Sequence, residues 1–318
     1  MSKGLNAMQD DMADPDIRRF VDAINAAYAE HAATPGASMA TRREVAERVR
    51  RPWREGGPIM AETREMDIEG ARLRLHRPVA DEKLPVMLYI HGGGWMLFSI
   101  DTHDRLMREY AARAGIAVIG IDYSLSPENK FPVALEECAA ALGWIAAQAD
   151  ALGLDADRVL IGGDSAGANL SVATCLLQRQ RRHPLPIAML LNYGAFAPEH
   201  TPSYARFGAG DYSLEADEMD AFWAAYVADP AQLVDPLVAP LRADLTGLPP
   251  AFLAIADCDI LADCNHEFAR KLEEAGVPTR AVTYQGATHS FLEAMSIAPL
   301  AQRALDEQAA WIRDTLKI

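Results

Sequence analysis

Ser165 stands in the run Gly163-Asp164-Ser165-Ala166-Gly167, between an apolar segment, Arg158 to Gly162, and a helix-like segment beginning near Ala168. The pattern reads as a nucleophile elbow. A serine raised on a sharp strand-to-helix turn needs very small residues two positions to either side, because strand and helix backbones pass too close there for side chains. Gly163 and Gly167 meet that demand. A hydroxyl is a weak nucleophile at neutral pH, so the same chemistry requires an imidazole to take its proton and a carboxylate to fix the imidazole tautomer. Of the eight histidines, His289 sits in a short loop, Gly286 to Ser290, after an apolar strand and before a helix. That is where a Ser…Asp…His chain order puts the base. His31, His183 and His200 lie in polar segments and read as solvated, His76 belongs to an early strand, and His91 and His103 read as loop supports through hydrogen bonds. For the acid, Asp257, Asp259 and Asp263 compete in the loop after the apolar run Ala251 to Ala256. Asp263 opens a helix-like run and reads as an N-cap, but pattern alone does not separate the three.

His91-Gly92-Gly93-Gly94-Trp95 follows directly on the apolar run ending at Ile90. Three consecutive glycines cost conformational entropy on ordering, which is tolerated where backbone N–H groups must approach a ligand that a Cβ would block. An oxyanion hole is the expectation, with the N–H of Ala166 at the start of the elbow helix acting alongside the glycine loop. The loop lacks both the Gly-x-Gly-x-x-Gly spacing and the lysine of a phosphate-binding loop, so no cofactor is expected. Cys258, Asp259, Asp263, Cys264 and His266 match no zinc spacing, so no metal is expected either.

The elements that must position these groups alternate. Unbroken apolar runs, Pro85 to Ile90, Ile116 to Ile121, Val159 to Gly162, Pro186 to Asn192, Ala251 to Ala256 and Arg280 to Tyr284, read as strands buried on both faces. Helical segments at 103–114, 131–151, 168–181, 263–275 and 299–315 separate them, so the sheet should be mostly parallel. Two strand-like segments, 66–69 and 73–76, precede the alternation. Ahead of them, residues 16 to 34 carry Ile17, Phe20, Val21, Ile24 and Tyr28 at helical spacing, with Asp14 and Pro15 as cap and first turn. Between Phe196 and Leu248 an acidic, aromatic-containing insertion (Tyr204, Phe207, Tyr212, Phe222, Trp223, Tyr226) replaces a short crossover, where a lid would lie. The expected division is 1–55 as N-terminal cap helices, 56–196 and 248–318 as two parts of one core, and 197–247 as a cap insertion.

With 318 residues, half of them hydrophobic, the chain can bury a large core. A formal net charge of −15 argues against nucleic acid and anionic membranes as partners. The arginines at 42, 43, 48, 50, 51 and 54 interleave with Val45, Ala46 and Val49 and read as the solvated side of an amphipathic helix. Cys138, Cys175, Cys258 and Cys264 lack paired spacing and read as free buried thiols. The first ten residues lack the apolar core of a secretory signal and no later run is long enough to span a membrane, so a soluble cytoplasmic protein is expected.

Taken together, these motifs resemble the bacterial hormone-sensitive-lipase-like (family IV) esterases of the α/β-hydrolase fold. The resemblance runs from about residue 70 to the C-terminus and adds Asp122-Tyr-Ser-Leu-Ser-Pro-Glu128, Asp235-Pro-Leu, Gly247-Leu-Pro-Pro250 and His289-Ser-Phe291 to the segments above. It implies an α/β-hydrolase sheet flanked by helices with a helical cap, a Ser-His-Asp triad and a carboxylesterase acting on short- to medium-chain acyl esters. The family's Asp-Pro-Leu acid motif aligns with Asp259-Ile-Leu261 and selects Asp259; its oxyanion donors correspond to Gly93, Gly94 and Ala166. The chain departs from the family at Ser124 (usually Arg), Ile260 (usually Pro), and Ala168 and Ser290 (usually Gly). An amidase or deacetylase would use the same residues, and a non-catalytic receptor on this fold would lack the histidine that is present here. The expected partner is a small-molecule ester, with a homodimer conceivable through the open edge of the sheet.

Overall fold

The computed structural model describes residues 11–31, 36–68, 70–80 and 82–318. Eight strands form one sheet: β1 (Glu62–Ile68), β2 (Ala71–Arg77), β3 (Leu84–Ile90), β4 (Ala117–Asp122), β5 (Leu154–Asp164), β6 (Met189–Asn192), β7 (Ala251–Cys258) and β8 (Thr279–Thr288), in the order β1-β2-β4-β3-β5-β6-β7-β8. β1 and β2 pair antiparallel, β2 joins β4 antiparallel, and every pairing from β4 to β8 is parallel. Most of the apolar runs become central strands because helices cover both faces, and every residue of β3 is buried. The run Arg280 to Tyr284 does not, since it forms the edge strand β8, where Arg280 and Ala281 are exposed. The polar segment preceding residue 66 also enters β1, because its alternating side chains need only one covered face. Glu69, within the expected early strand, lies outside the described residues, as do the first ten residues and the end of the expected first helix.

On one face pack α3 (Asp104–Ala114) and α9 (Pro299–Leu316), and on the other α4 (Val133–Gln148), α5 (Ala166–Gln180) and α8 (Ala262–Glu274). The N-terminal helices α1 (Pro15–Glu30) and α2 (Met39–Arg54) lie against the end of the sheet that carries the strand C-termini. Asp14 caps α1 by accepting from the N–H groups of Asp16 and Ile17, and its own N–H donates to Gly286 O at 2.9 Å. That bond ties the helix entry to the loop before His289. Ile17, Phe20, Val21 and Ile24 form the buried stripe of α1. The segment between β6 and β7 folds into α6 (Pro202–Phe207), α7 (Ala216–Tyr226) and short 3-10 turns. Its aromatic residues are anchored: Tyr226 stacks on Trp95 with ring centroids 4.3 Å apart and planes within 7°. The glycine loop and α7 are therefore held as one packed unit.

Two sequence expectations need correction. Arg50 is not solvated: only 6 % of it is exposed, and it follows Ala46 and Val49 on the stripe of α2 that faces inward. Asp263 is not an N-cap. It lies inside the first turn of α8 and exchanges hydrogen bonds with Ser203, accepting from Ser203 N–H at 2.9 Å while its own N–H donates to Ser203 Oγ at 3.2 Å. The four cysteines are free and buried.

Candidate active site

Ser165, Asp259 and His289 come from the C-terminal ends of three parallel strands, β5, β7 and β8. Register brings the last two together. Cys258 of β7 pairs with Thr288 of β8, so the next residue of each strand emerges beside the other. The Oδ2 atom of Asp259 lies 2.7 Å from Nδ1 of His289, and Nε2 of the same ring lies 3.0 Å from Oγ of Ser165. All three are buried, with Asp259 at 1 % exposure and Ser165 and His289 at 6 %. Asp259 Oδ1 accepts a second bond, from Leu261 N–H at 3.0 Å, which holds the carboxylate in its turn. Asp257 is half-buried and Asp263 is engaged by Ser203, so neither competes for the imidazole. Burial opposes a charged His289, yet the charge and hydrogen bond of Asp259 outweigh it, and the imidazole pKa lies above its ordinary value.

The elbow has the geometry its glycines suggest. Ser165 sits at φ 53°, ψ −117°, a conformation costly for a non-glycine residue and common at functional sites. Its N–H donates to Asn192 O at 2.9 Å, which fixes the turn against β6. A Cβ on Gly163 or Gly167 would overlap the carbonyl of Ile90, so β3, β5 and α5 approach this closely only because both positions are glycine. The loop beside it turns through Gly93 at φ 108° and Gly94 at φ 57°. Gly93 O accepts from Met96 and Leu97 N–H at 3.0 and 2.9 Å, closing the loop on itself. Ala166 is the first residue of α5, where a backbone N–H has no acceptor within the helix. Ser165, His289, Gly93 and Gly94 line one cavity of about 550 Å³. Its walls include Ile24 and Tyr28 of α1, Arg50 of α2, and Met219 and Phe222 of α7.

Behind the glycine loop lies a buried polar cluster of which the sequence marks only His91 and His103, as loop supports. Asp164, the residue before the serine, is 3 % exposed. Its Oδ1 accepts from Tyr89 Oη–H at 2.8 Å and from Gly92 N–H at 3.2 Å, and its Oδ2 lies 3.3 Å from Nε2 of His103. The other His103 nitrogen is 3.2 Å from Ser99 O, so both ring nitrogens face acceptors. Burial disfavours the His103 cation, but the charge and hydrogen bond of Asp164 more than compensate and lift its pKa to about 9. For Asp164, burial acts upward and the His103 charge and the bonds from His103 and Tyr89 act downward, with a net lowering. His91 goes the other way: burial and the neighbouring His103 cation lower it to about 4, and its neutral ring donates Nδ1–H to Gly92 O at 2.7 Å. Asp164 thus joins the elbow to the glycine loop through one carboxylate. Of the departures from the family pattern, Ser124 donates N–H and Oγ–H to Glu137, both at 2.6 Å, and Ser290 takes the left-handed φ of 61° that favours glycine.

Residues 87–293 match the α/β hydrolase fold family. An ethyl acetate hydrolase of Pseudomonas putida is 37 % identical over 239 residues, covering 73 % of this chain and 75 % of the relative. A carboxylesterase, NlhH, of Mycobacterium tuberculosis is 36 % identical over 245 residues, covering 75 % of this chain and 76 % of the relative. Among solved structures, an α/β hydrolase from the metagenome of Lake Arreo superposes with a TM-score of 0.90 at 32 % identity, over 96 % of this chain and 99 % of the other. A hyperthermophilic esterase from the archaeon Pyrobaculum calidifontis gives 0.89 at 32 % identity, with the same coverage. The chain belongs to the α/β-hydrolase-fold family, in its hormone-sensitive-lipase-like (family IV) branch.

The Asp164–His103 pair gives a pH prediction. His103 has a folded pKa above its unfolded value of about 6.5, so its stabilisation is complete below that value and is lost as pH rises through about 9. Urea midpoints measured from about pH 6 to pH 10 should fall across this window, and a His103→Asn variant, less stable throughout, should lose that part of the slope. Wild-type and variant curves that run parallel would show that His103 is not a buried cation.

Proposed function

We propose that the chain is a serine carboxylesterase in which Ser165 is the nucleophile, His289 the general base and Asp259 the residue that orients and stabilises the imidazole. The observation that carries this reading is the unbroken hydrogen-bonded line from Ser165 Oγ through His289 to Asp259, at 3.0 and 2.7 Å. With Nδ1–H donated to Asp259, Nε2 is the nitrogen left to accept the serine proton. Ser165 Oγ attacks the ester carbonyl carbon while its proton passes to Nε2. The carbonyl oxygen takes up negative charge, and the N–H groups of Gly93, Gly94 and Ala166 stabilise it. The imidazolium then protonates the departing alkoxide, leaving an acyl-enzyme, and water activated by the same nitrogen releases the acid. Desolvation in the buried site strengthens each of these electrostatic contacts.

Substrate size follows from the covering elements. In this reading residues 1–55 and 197–247 act as a cap over the core formed by 56–196 and 248–318, and they close the cavity to about 550 Å³. Phe222 and Met219 from α7 and Ile24 from α1 offer apolar walls for a short- to medium-chain acyl or alkyl group. The relative named ethyl acetate hydrolase, and others named acetyl esterase from Salmonella, support a small soluble ester over a lipid. No described helix is long and apolar enough to cross a membrane. The open edge at β8 is the surface this reading assigns to a second copy of the chain.

Ser165→Ala should lower kcat on a short ester by at least about ten-thousandfold with the unfolding midpoint preserved, since loss of a triad nucleophile leaves only binding and oxyanion contacts. Near-normal turnover in that variant would refute the assignment. Across a series of acyl lengths, kcat/KM should peak at short acyl groups and decline once the chain outgrows the cavity. A maximum at long-chain esters would contradict the enclosed pocket.

A further inference from the structure

Arg50 is the one cation among the residues lining the cavity that contains Ser165 and His289, and the ester chemistry above leaves it without a role. Its guanidinium is sandwiched: the central carbon lies 5.1 Å from the Phe98 ring centroid and 5.8 Å from that of Phe20. Nη1 lies 3.5 Å from Oε2 of Glu293, close enough to balance charge but without a hydrogen bond. Nε and Nη1 are sealed from solvent and unpartnered. Arg50 lines the cavity beside Tyr28, whose hydroxyl feels the guanidinium as a hydrogen-bond donor, and no acceptor among the described residues takes either Nε or Nη1. A buried guanidinium with unmet donors is costly, and a ligand acceptor would relieve that cost.

Charge decides the kind of acceptor. Glu293 already neutralises Arg50 at 3.5 Å, and Glu215, Asp217 and Glu218 line the same cavity. An anionic group entering there would meet one compensated cation and several carboxylates. An uncharged oxygen takes the N–H without that repulsion.

We propose that Arg50 forms a polar subsite for esters whose acyl or alcohol arm carries a second, uncharged oxygen acceptor, such as a diester or a keto ester. This deepens the esterase reading and rests on it. A site built around a hydrogen-bond donor discriminates against an analogue that leaves the donor unpaired. Arg50 is a specificity residue, acting away from the reacting atoms.

The test compares dimethyl succinate with methyl hexanoate, which has similar length but no distal acceptor, and with monomethyl succinate, whose distal group is a carboxylate. Removing Arg50 alone would strand the buried Glu293 carboxylate, so the informative protein is the Arg50→Met/Glu293→Gln double variant, with Arg50→Lys as a conservative control. The ratio of kcat/KM for the diester to that for the alkyl ester should fall about ten- to one-hundredfold in the double variant, the range expected for one charge-assisted hydrogen bond. Arg50→Lys should recover part of it. Equal losses on both esters, leaving the ratio unchanged, would show that Arg50 only clamps α2 to the segment after His289 and would overturn the subsite. Wild-type preference for monomethyl succinate over the diester would overturn the choice of an uncharged acceptor. Binding of dimethyl succinate to the Ser165→Ala protein, with and without the Arg50 change, reads the subsite without turnover. Wild-type inactivity on all three esters would therefore count against the esterase reading, while weaker binding on loss of Arg50 would still support the subsite.

Discussion

The hydrogen bond between Nδ1 of His289 and Oδ2 of Asp259, at 2.7 Å, is the contact on which the arrangement around Ser165 depends. It sets the tautomer, and the tautomer sets which nitrogen faces the serine. Both partners are buried and neither could tolerate being left alone there. The sheet supplies the bond. β7 and β8 run parallel with Cys258 opposite Thr288, so the backbone itself delivers an aspartate and a histidine to adjacent positions at the strand ends. A one-residue slip of β8 would turn the imidazole to the other face of the sheet.

Around that bond the elbow and glycine loop are braced by hydrogen bonds, and the cavity beside Ser165 is walled by α1, α2 and α7. Asp164 links the elbow to the glycine loop through Tyr89, Gly92 and His103, so the strained backbone at Ser165 is held from behind by a buried polar cluster. Trp95, stacked on Tyr226, locks the far end of the glycine loop to α7. α1 is pinned to Gly286, three residues before His289, through Asp14. The covering helices are thus connected to the His289 loop by a direct hydrogen bond and to the glycine loop by packed rings.

Much of this was legible in the sequence, for reasons that are local. The elbow and the glycine loop announce themselves because close backbone approach permits only glycine at particular positions, and runs such as Pro85 to Ile90 and Ile116 to Ile121 reveal strands covered on both faces, whereas Arg280 to Tyr284 turns out to be the sheet edge. The choice among Asp257, Asp259 and Asp263 was not legible from pattern, because it depends on strand register and on Ser203, sixty residues away in the chain, taking up Asp263. The resemblance to a family pointed to Asp259 where residue spacing did not. Arg50 was misread for a different reason. Ala46, Val49, Arg50 and Trp53 occupy one helical stripe, so the spacing put it inside, but residue type argued for solvent. Only tertiary contacts, two aromatic rings and Glu293, reveal a cation turned inward.

The central claim is that folding makes one hydroxyl in this chain a nucleophile. Treating the protein with a serine-reactive organophosphonate and mapping the modified peptide by mass measures this directly. The account predicts one adduct per chain, on Ser165, forming faster as His289 loses its proton. An adduct on another residue, or none under conditions where the protein remains folded, would contradict it.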